Sequence, residues 1–436
     1  MANDPFITKQ NLIDALSVQN DIYSETFEQI LKSLEQHAEV EPANDDLPIL
    51  FISGPIPTSK QFVRGEIDYI SPTDSFHAYT KIKLQGNSTL SWPKKNYTIE
   101  FYQDENRTIP LKYAFKNWGK HNNFVLKADY LDILHARNVV AAKLWGKVVE
   151  SRADYDGLPD GLKNSPNNGA VDGFPIKVYI NGEYVGLYSF TIPKCDWMVG
   201  MDNHNRNHVL LSSEFNDNGN VDYEYNPCNF NDFWDGDSKY FKVEIGLKSA
   251  ALIDCINAVI AAVIDGDVDA LAEVLDIQSV IDYYIFQEII LGVDGISKNM
   301  LLATYDMHKW YLGAYDMDST FDLSWDGTIL HANDVENPWD LFLAKYNYLL
   351  NNIIVWGECS NDFRARYIEL RKSVLSYDSI MAEFENYINI FGEDVYIQDT
   401  IAYPDIPNVT DNTLHSLGVF VKNWLQFLDN ENEVTI

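Results

Sequence analysis

The sequence predicts an α+β protein in which a β-rich half is followed by an α-rich half. Three observations predict this fold class. Segments that alternate apolar and polar residues dominate up to about residue 245, and apolar residues at helical spacing dominate beyond it. The chain of 436 residues is also long for one hydrophobic core. We therefore expect a bilobal molecule, with a β-rich N-lobe in residues 46–245 and a helical C-lobe in residues 246–436.

The first residues are predicted to form a separate element. Residues 8–38 place apolar side chains at roughly helical intervals, and the loop EPANDD follows at residues 41–46. Residues 1–45 are therefore interpreted as an amphipathic helix and a linker. The helix would either pack on its own domain or join chains into a homo-oligomer.

The β-rich half is predicted from runs with a period near two. Half-buried antiparallel strands are expected in residues 47–53, 76–86 and 95–102. A short strand in FVLKADY and an Asp-rich turn precede a helix from about Leu134 to Val149. The Asn181-Gly182 pair predicts a type I′ turn between two further strands. Residues 201–240, which are rich in Asn, Asp and Gly, predict an irregular surface insertion.

The α-rich half is predicted from apolar segments at helical spacing. Helices are expected in residues 247–275 and 278–292, and near residues 339–355, 360–388 and 411–429. Two strand-like pieces, MLLATYD and KWYLGAYD, predict a hairpin within residues 294–318.

Charge argues against one class of partner. The chain has 32 Lys and Arg against 65 Asp and Glu, which gives a formal net charge of −33. Such a surface repels phosphate backbones, so no nucleic-acid partner is expected. The chain does not begin with a basic segment followed by an apolar run, and no stretch reaches the length of a membrane span. The sequence therefore predicts a cytoplasmic protein without membrane contact.

Acidic and amide residues around the predicted hairpin are candidates for a metal-dependent site. Asp294 and Asn299 are five positions apart, as in the catalytic loop of protein kinases, and Asp316 and Asp318 follow the hairpin. Carboxylate and amide oxygens are the ligands that Mg²⁺ prefers. Asp294 would then be the catalytic base or orienting residue, and the other three residues would bind Mg²⁺ or Mn²⁺. Ordinary turn chemistry explains the same spacing, because Asp and Asn are common in turns.

A second candidate stretch joins two predicted strands. Gly86, Asn87 and Ser88 form a turn whose backbone N–H groups would meet phosphate oxygens, and Lys94 and Lys95 begin the next strand. The lysines would supply positive charge for a nucleotide. The alternative is an ordinary hairpin with an exposed basic end.

Four ordered elements, which span about residues 80–322, resemble one known family. They are Gly86-Asn87-Ser88 with Pro93-Lys94-Lys95-Asn96-Tyr97, Asp132 with Arg137-Asn138, the hairpin VYINGEYVGLYSF, and Asp294…Asn299…Tyr315-Asp316-Met317-Asp318-Ser319-Thr320-Phe321. Together they resemble the conserved elements of the spore-coat CotH kinase-like family. Two departures lie next to the last element, because Tyr315 replaces the usual Trp and Asp322 stands where Gly is common.

The resemblance implies a minimal, bilobal protein-kinase-like fold that binds ATP with Mg²⁺ or Mn²⁺ and phosphorylates proteins. By position, Lys95 is similar to the nucleotide-phosphate lysine, Asp294 to the catalytic Asp and Asp316 to the metal-binding Asp. The glycine turn, the lysine pair and Arg137 are then the cofactor-binding residues. Arg137 has a structural alternative, in which it bridges carboxylates across the lobes.

Two other functions agree with the sequence. A member that keeps the fold without catalysis would be a structural component of a phage tail or a bacterial surface assembly, which the helical start and the acidic surface favour. Such a protein would be virion-associated and would have an assembly partner in place of a protein substrate. The acidic and aromatic cluster around residues 316–340 instead suits polysaccharide binding or hydrolysis.

Overall fold

The computed structural model describes residues 47–213, 230, 233–236, 241–330, 349–350, 360–390, 393–407 and 412–436. Strands dominate the first half of this part of the chain and helices the second, which confirms the predicted α+β class. The predicted helix and linker of residues 1–45 lie outside the described residues, as does most of the predicted helix near 339–355. Among the described helices, none is both long and apolar enough to cross a membrane.

Seven strands of the β-rich half close into a barrel. In chain order, the strands up to residue 191 are β1 (Ile49–Ser53), β2 (Val63–Ile70), β3 (Ser75–Gln85), β4 (Asn96–Tyr102), β5 (Tyr113–Ala114), β6 (Lys120–His121), β7 (Asn123–Lys127), β8 (Gly173–Ile180) and β9 (Glu183–Thr191). The order around the barrel is β1-β2-β3-β4-β7-β9-β8. Its pairings are antiparallel, as predicted, except that β1 closes the barrel by pairing in parallel with β8.

Aromatic side chains fill the barrel interior. The rings of Phe115, Phe124 and Phe190 lie with centroids 4.9 to 5.1 Å apart. Phe101 and Trp118 pack against the same cluster. Burial of each large apolar side chain contributes about 1.5–3 kcal/mol, so the barrel is a stable support for the loops at its ends.

A second sheet has four antiparallel strands in the order β11-β10-β12-β13. Its strands are β10 (Val209–Ser213), β11 (Phe241–Ile245), β12 (Met300–Thr304) and β13 (Trp310–Ala314). The pairing of β12 with β13 confirms the predicted hairpin. The prediction of an irregular surface insertion in residues 201–240 was wrong for β10, because all five of its residues are buried. The sheet joins strands from both sides of the predicted boundary at residue 245.

Helices dominate the second half of the chain. In chain order the helices are α1 (Arg137–Glu150), α2 (Asp160–Lys163), α3 (Ala250–Asp265), α4 (Val268–Val274), α5 (Ile277–Ile290), α6 (Val293–Ser297), α7 (Ser360–Arg371), α8 (Tyr377–Ile388), α9 (Glu393–Ala402) and α10 (Leu414–Glu431). The predicted helix at 247–275 divides into α3 and α4 at Gly266, whose φ is 65°. The predicted helix at 360–388 likewise divides into α7 and α8, whereas α5 and α10 were predicted as single helices.

Helix α9 is joined to the barrel by a buried ion pair. The Nζ atom of Lys94 lies 2.9 Å from Oδ1 of Asp399 in α9, and both side chains are at most 3% exposed. Lys94 also donates to the carbonyl oxygen of Leu187 in β9 at 2.5 Å, and Nε2 of His135 contacts Asp399 at 2.9 Å. Charges that are removed from water are tolerated when they are paired, so these contacts hold α9 against β9.

The hairpin between β8 and β9 has the predicted type I′ turn. Asn181 and Gly182 both have positive φ, 53° and 85°, and they separate the paired residues Ile180 and Glu183. Further along β9, Gly186 also has a positive φ of 121°. Gly186 packs against the ion pair between Lys94 and Asp399.

Gly186→Ala is expected to destabilise the protein more than Gly182→Ala. A Cβ atom at position 186 would lie 2.6 Å from both Oδ1 of Asp399 and Cε of Lys94, whereas one at position 182 would meet no heavy atom within 4 Å. Both variants have the strain of a positive φ, about 1–2 kcal/mol. Overpacking should cost Gly186→Ala about 1–3 kcal/mol more. Urea unfolding measures the difference, and equal losses would contradict this account of Gly186.

Candidate active site

The segment that contains Asp294 and Asn299 joins helix α5 to strand β12. Asp294 is half-buried in α6, and Asn299 is 8% exposed with a φ of 64°. Burial raises the pKa of Asp294, Lys298 lowers it, and the negative charge of Asp316 raises it again. Asp294 and Asp316 are therefore close enough to repel each other.

Asp316 and Asp318 follow strand β13 in a tight turn. Asp316 has a φ of 58°, and the N–H of Met317 donates to Oδ1 of Asn138 in α1 at 3.0 Å. Burial and the charge of Asp316 raise the pKa of Asp318 to about 7, and the charge of Asp294 contributes in the same direction. The structure therefore brings the three predicted aspartates into one electrostatic cluster, while their catalytic roles stay predictions.

Lys127 faces this acidic cluster, and the sequence analysis missed it. It is the last residue of β7 and is buried, and its Nζ donates to Oδ1 of Asp316 at 2.5 Å. Burial would lower the pKa of Lys127, but the charges of Asp316 and Asp318 outweigh it and raise that pKa. In FVLKADY, Lys127 ends an apolar strand directly before an Asp-rich turn, but this local pattern does not show that the lysine faces Asp316.

A fourth carboxylate, Asp129, lies beside the cluster and was also missed. Its Oδ2 accepts a hydrogen bond from Oγ of Ser189 at 2.6 Å, and burial raises its pKa. The charge of Asp129 helps to raise the pKa of Asp318. Asp129 and Asp316 have positive φ, a conformation that Asp and Asn adopt more readily than most residues.

The predicted phosphate turn joins β3 and β4, as expected. Gly86 has a φ of 97°, and a Cβ atom there would lie 1.9 Å from Oγ1 of Thr89, so glycine is required. Asn87 and Ser88 are exposed, and Oδ1 of Asn87 accepts a hydrogen bond from Nζ of Lys60.

The rest of this loop lies against the segment after Lys127. Nζ of Lys95 donates to the carbonyl oxygens of Leu90, at 2.8 Å, and Trp92. The charge of Lys95 is thus held by its own loop, and the lysine that contacts Asp316 is Lys127. The ring of Trp92 stacks on that of Tyr130 with centroids 5.7 Å apart.

Lys94 and Arg137, both predicted to bind the cofactor, are bonded within the protein. The ammonium group of Lys94 forms the buried ion pair with Asp399 described above. Arg137 is 2% exposed, forms an ion pair with Asp132, and donates from Nε to the carbonyl oxygen of Thr320 at 3.0 Å. Arg137 thus joins the start of α1 to the segment after Asp318 through one carboxylate and backbone carbonyl oxygens, and its role at a cofactor stays a prediction.

Lys194 and Glu244 border the site on the side of Tyr315. Nζ of Lys194 lies 2.6 Å from Oε1 of Glu244 and 4.8 Å from the centre of the Tyr315 ring. Burial would raise the pKa of Asp316, but Lys127 lowers it most, and Lys194 and Lys298 lower it further. The positive charges of these three lysines therefore act together on Asp316.

A narrow cleft connects the acidic cluster to the barrel. It is lined by Val125, Lys127, Asn138, Val171, Thr191, Ile192, Tyr315 and Asp316. The cleft thus runs between the end of β7, the start of α1 and the end of β9.

The donor set around Asp316 is suited to a hard divalent cation. Among the described residues, no three His, Cys, Asp or Glu side chains converge closely enough to bind a metal ion by themselves. Asp316 and Asp318 nevertheless provide neighbouring carboxylate oxygens, Asn299 is an amide residue directly before β12, and Mg²⁺ usually takes its remaining ligands from phosphates and water. The repulsion that raises the pKa of Asp318 is the kind of unbalanced charge that a cation neutralises.

Comparison with known proteins assigns the class and the family. A family model described as CotH kinase protein matches residues 82–413, which is well over half of the chain. The class is therefore kinase-like, and ATP with a divalent metal is the general expectation for that class. The chain belongs to the CotH kinase family, as the four sequence elements predicted. A search of curated proteins found no match.

Proposed function

We propose that this protein transfers the γ-phosphoryl group of ATP to a hydroxyl group of a protein, with Mg²⁺ or Mn²⁺ as cofactor. The observation that supports the proposal is the contact of 2.5 Å between the buried Lys127 and the half-buried Asp316, beside Asp294 and Asp318. Protein kinases place a lysine and a metal-binding aspartate on the nucleotide phosphates in a bilobal fold. In this proposal the barrel is the N-lobe, and the helices after residue 246 form most of the C-lobe.

The side chains of the cluster have separate roles in the proposed reaction. Lys127 would donate to a phosphate oxygen of ATP, and its raised pKa keeps it charged for that role. Asp316, Asp318 and Asn299 would hold the cation, which neutralises charge on the transferring phosphoryl group. Asp294 would orient the acceptor hydroxyl and accept its proton as the new P–O bond forms and the bond to ADP breaks.

The loop between β3 and β4 would form the outer side of the nucleotide site. Asn87 and Ser88 of the turn are exposed, and the same loop packs on Tyr130 shortly after Lys127. Backbone N–H groups of this turn would contact phosphate oxygens. Lys95 would act by holding the loop closed through the carbonyl oxygens of Leu90 and Trp92.

Calorimetry with ATP and either Mg²⁺ or Mn²⁺ tests the nucleotide site. The wild-type protein is expected to bind ATP in a metal-dependent manner, and Asp316→Asn is expected to lose this binding because the cation loses a charged ligand. Asp160→Asn is the matched control, since it also removes one carboxylate but from a side chain that is 89% exposed. Unfolding midpoints show whether each variant is folded.

If calorimetry shows no heat of ATP binding to the wild-type protein with either ion, the proposal is overturned. The non-catalytic role, as a structural component of a phage tail or a bacterial surface assembly, would then be the better account.

A further inference from the structure

Asp294 lies in the short helix α6, and this helix and the short loop before it pack against the buried helix α5. Asp294 lies between Gly292 and Gly295. The backbone N–H of Gly292 donates to the backbone carbonyl oxygen of Gln287 at 2.9 Å. Oη of Tyr283 donates to the carbonyl oxygen of Gly295 at 2.5 Å. The side chains of Tyr283 and Gln287 are at most 1% exposed, and both residues belong to α5, which is buried on all sides.

Gln287 fills the space under both glycines. A Cβ atom at Gly292 would lie 1.9 Å from Oε1 of Gln287, and one at Gly295 would lie 2.4 Å from the same oxygen. Oε1 of Gln287 has no hydrogen-bond partner, although the atom is buried. A buried amide oxygen without a partner costs about 1–3 kcal/mol, so stability alone does not explain a glutamine at this position.

We infer that Gln287 and Tyr283 are positioning residues, which fix the position and orientation of the Asp294 carboxylate. This inference rests on the proposed phosphoryl transfer, in which Asp294 orients the acceptor hydroxyl. The glycines on either side let the loop lie directly on the Gln287 amide, and the Tyr283 hydroxyl fixes the carbonyl of Gly295. An error of about 1 Å in the position of a reacting group can cost about 100-fold in rate, so such a support affects the turnover number.

Gly295→Ala tests the inference, because it adds one methyl group between the loop and Gln287. Gly295 is not among the glycines with positive φ, so alanine brings no backbone strain. We expect the turnover number for transfer of labelled γ-phosphate to casein or to the protein itself to fall about 10- to 100-fold. The Kd for ATP with Mn²⁺ is expected to stay within about twofold, because the substitution leaves the nucleotide site unchanged.

Variants of the two supporting residues separate positioning from a general structural fault. Gln287→Ala removes the amide on which the loop lies, so it should lower the turnover number without changing the Kd for ATP. Tyr283→Phe should lower the turnover number without changing the Kd for ATP, because it removes the bond to the Gly295 carbonyl. Gly157→Ala is the control, since a Cβ atom there would meet no heavy atom within 4 Å.

The outcomes distinguish this inference from the proposed function. If the wild-type protein transfers phosphate but Gly295→Ala or Gln287→Ala keeps its turnover number, the positioning role is wrong and the proposed function stands. If the wild-type protein transfers no phosphate, the proposed function is wrong and the positioning role is rejected with it.

Discussion

Asp294→Asn is expected to lower phosphoryl transfer by about 100- to 10,000-fold while the protein still binds ATP with Mg²⁺ or Mn²⁺. The substitution keeps the size and polarity of the side chain but removes the group that accepts the proton. Asp294 is not one of the proposed cation ligands, so Asp316, Asp318 and Asn299 should still bind the cation in this variant.

Two measurements check this result. Incorporation of labelled γ-phosphate gives the rate, and calorimetry with ATP gives the affinity. Asp160→Asn, which removes an exposed carboxylate, is expected to change neither. A rate within about threefold of the wild type would show that Asp294 has no part in proton transfer, because general-base catalysis contributes far more than that.

Asp399→Ala is expected to lower the free energy of unfolding by about 3–5 kcal/mol, the usual cost of leaving a buried charge without its partner. Lys94 and His135 both contact Asp399, and the Lys94 side chain is 1% exposed. The loss should be visible as a lower urea midpoint at neutral pH. Asp160→Ala, which breaks an exposed pair with Lys163, should cost about 0–1 kcal/mol.

A double replacement shows whether the charge itself is the cause. Lys94→Met with Asp399→Leu removes both charges and keeps apolar volume, so it should recover most of the stability that Asp399→Ala loses. If the double variant is as unstable as Asp399→Ala, packing rather than charge explains the effect.

The same ion pair predicts how stability depends on pH. Burial alone would raise the pKa of Asp399, but Lys94 and His135 outweigh it and hold this pKa well below its usual range. An aspartate in the unfolded chain titrates near about 3.9, so the stabilisation is complete above that pH. It is lost as the pH falls from there toward the folded pKa, because the unfolded state then binds the proton more readily. The difference between the wild type and Asp399→Ala should therefore shrink below about pH 4.

Local patterns predicted six of the seven barrel strands but missed β2, and they also missed β10 of the second sheet. β2 alternates buried Gly65, Ile67 and Tyr69 with charged residues. It has too few apolar residues to be recognised as a strand from its sequence. β10 lies in a stretch rich in Asn, Asp and Gly, yet it is the central partner of β11 and β12. Neither strand is stabilised by its own composition, because each depends on partners that are distant in sequence.

In the candidate site, too, the sequence predicts some features and only the tertiary structure shows the others. The offset between Asp294 and Asn299 and the position of Asp316 after a hairpin are properties of the sequence, and the structure brings the three predicted aspartates together. The cation opposite them was assigned to Lys95, whereas Lys127 makes the contact with Asp316. Both lysines begin or end a strand, and no local feature shows which strand end faces the hairpin.

The sequence alone determined the α+β class, the family, the turn at Asn181 and Gly182, and the residue types of the acidic cluster. These depend on periodicity, on backbone preferences of single residues and on motif spacing, which act over short distances along the chain. The tertiary structure decided the closure of the barrel, the choice of Lys127, the burial of Lys94 against Asp399 and the support under Asp294. Those features depend on side chains up to 305 positions apart, whose pairing is decided by packing and by the cost of unpaired buried charge.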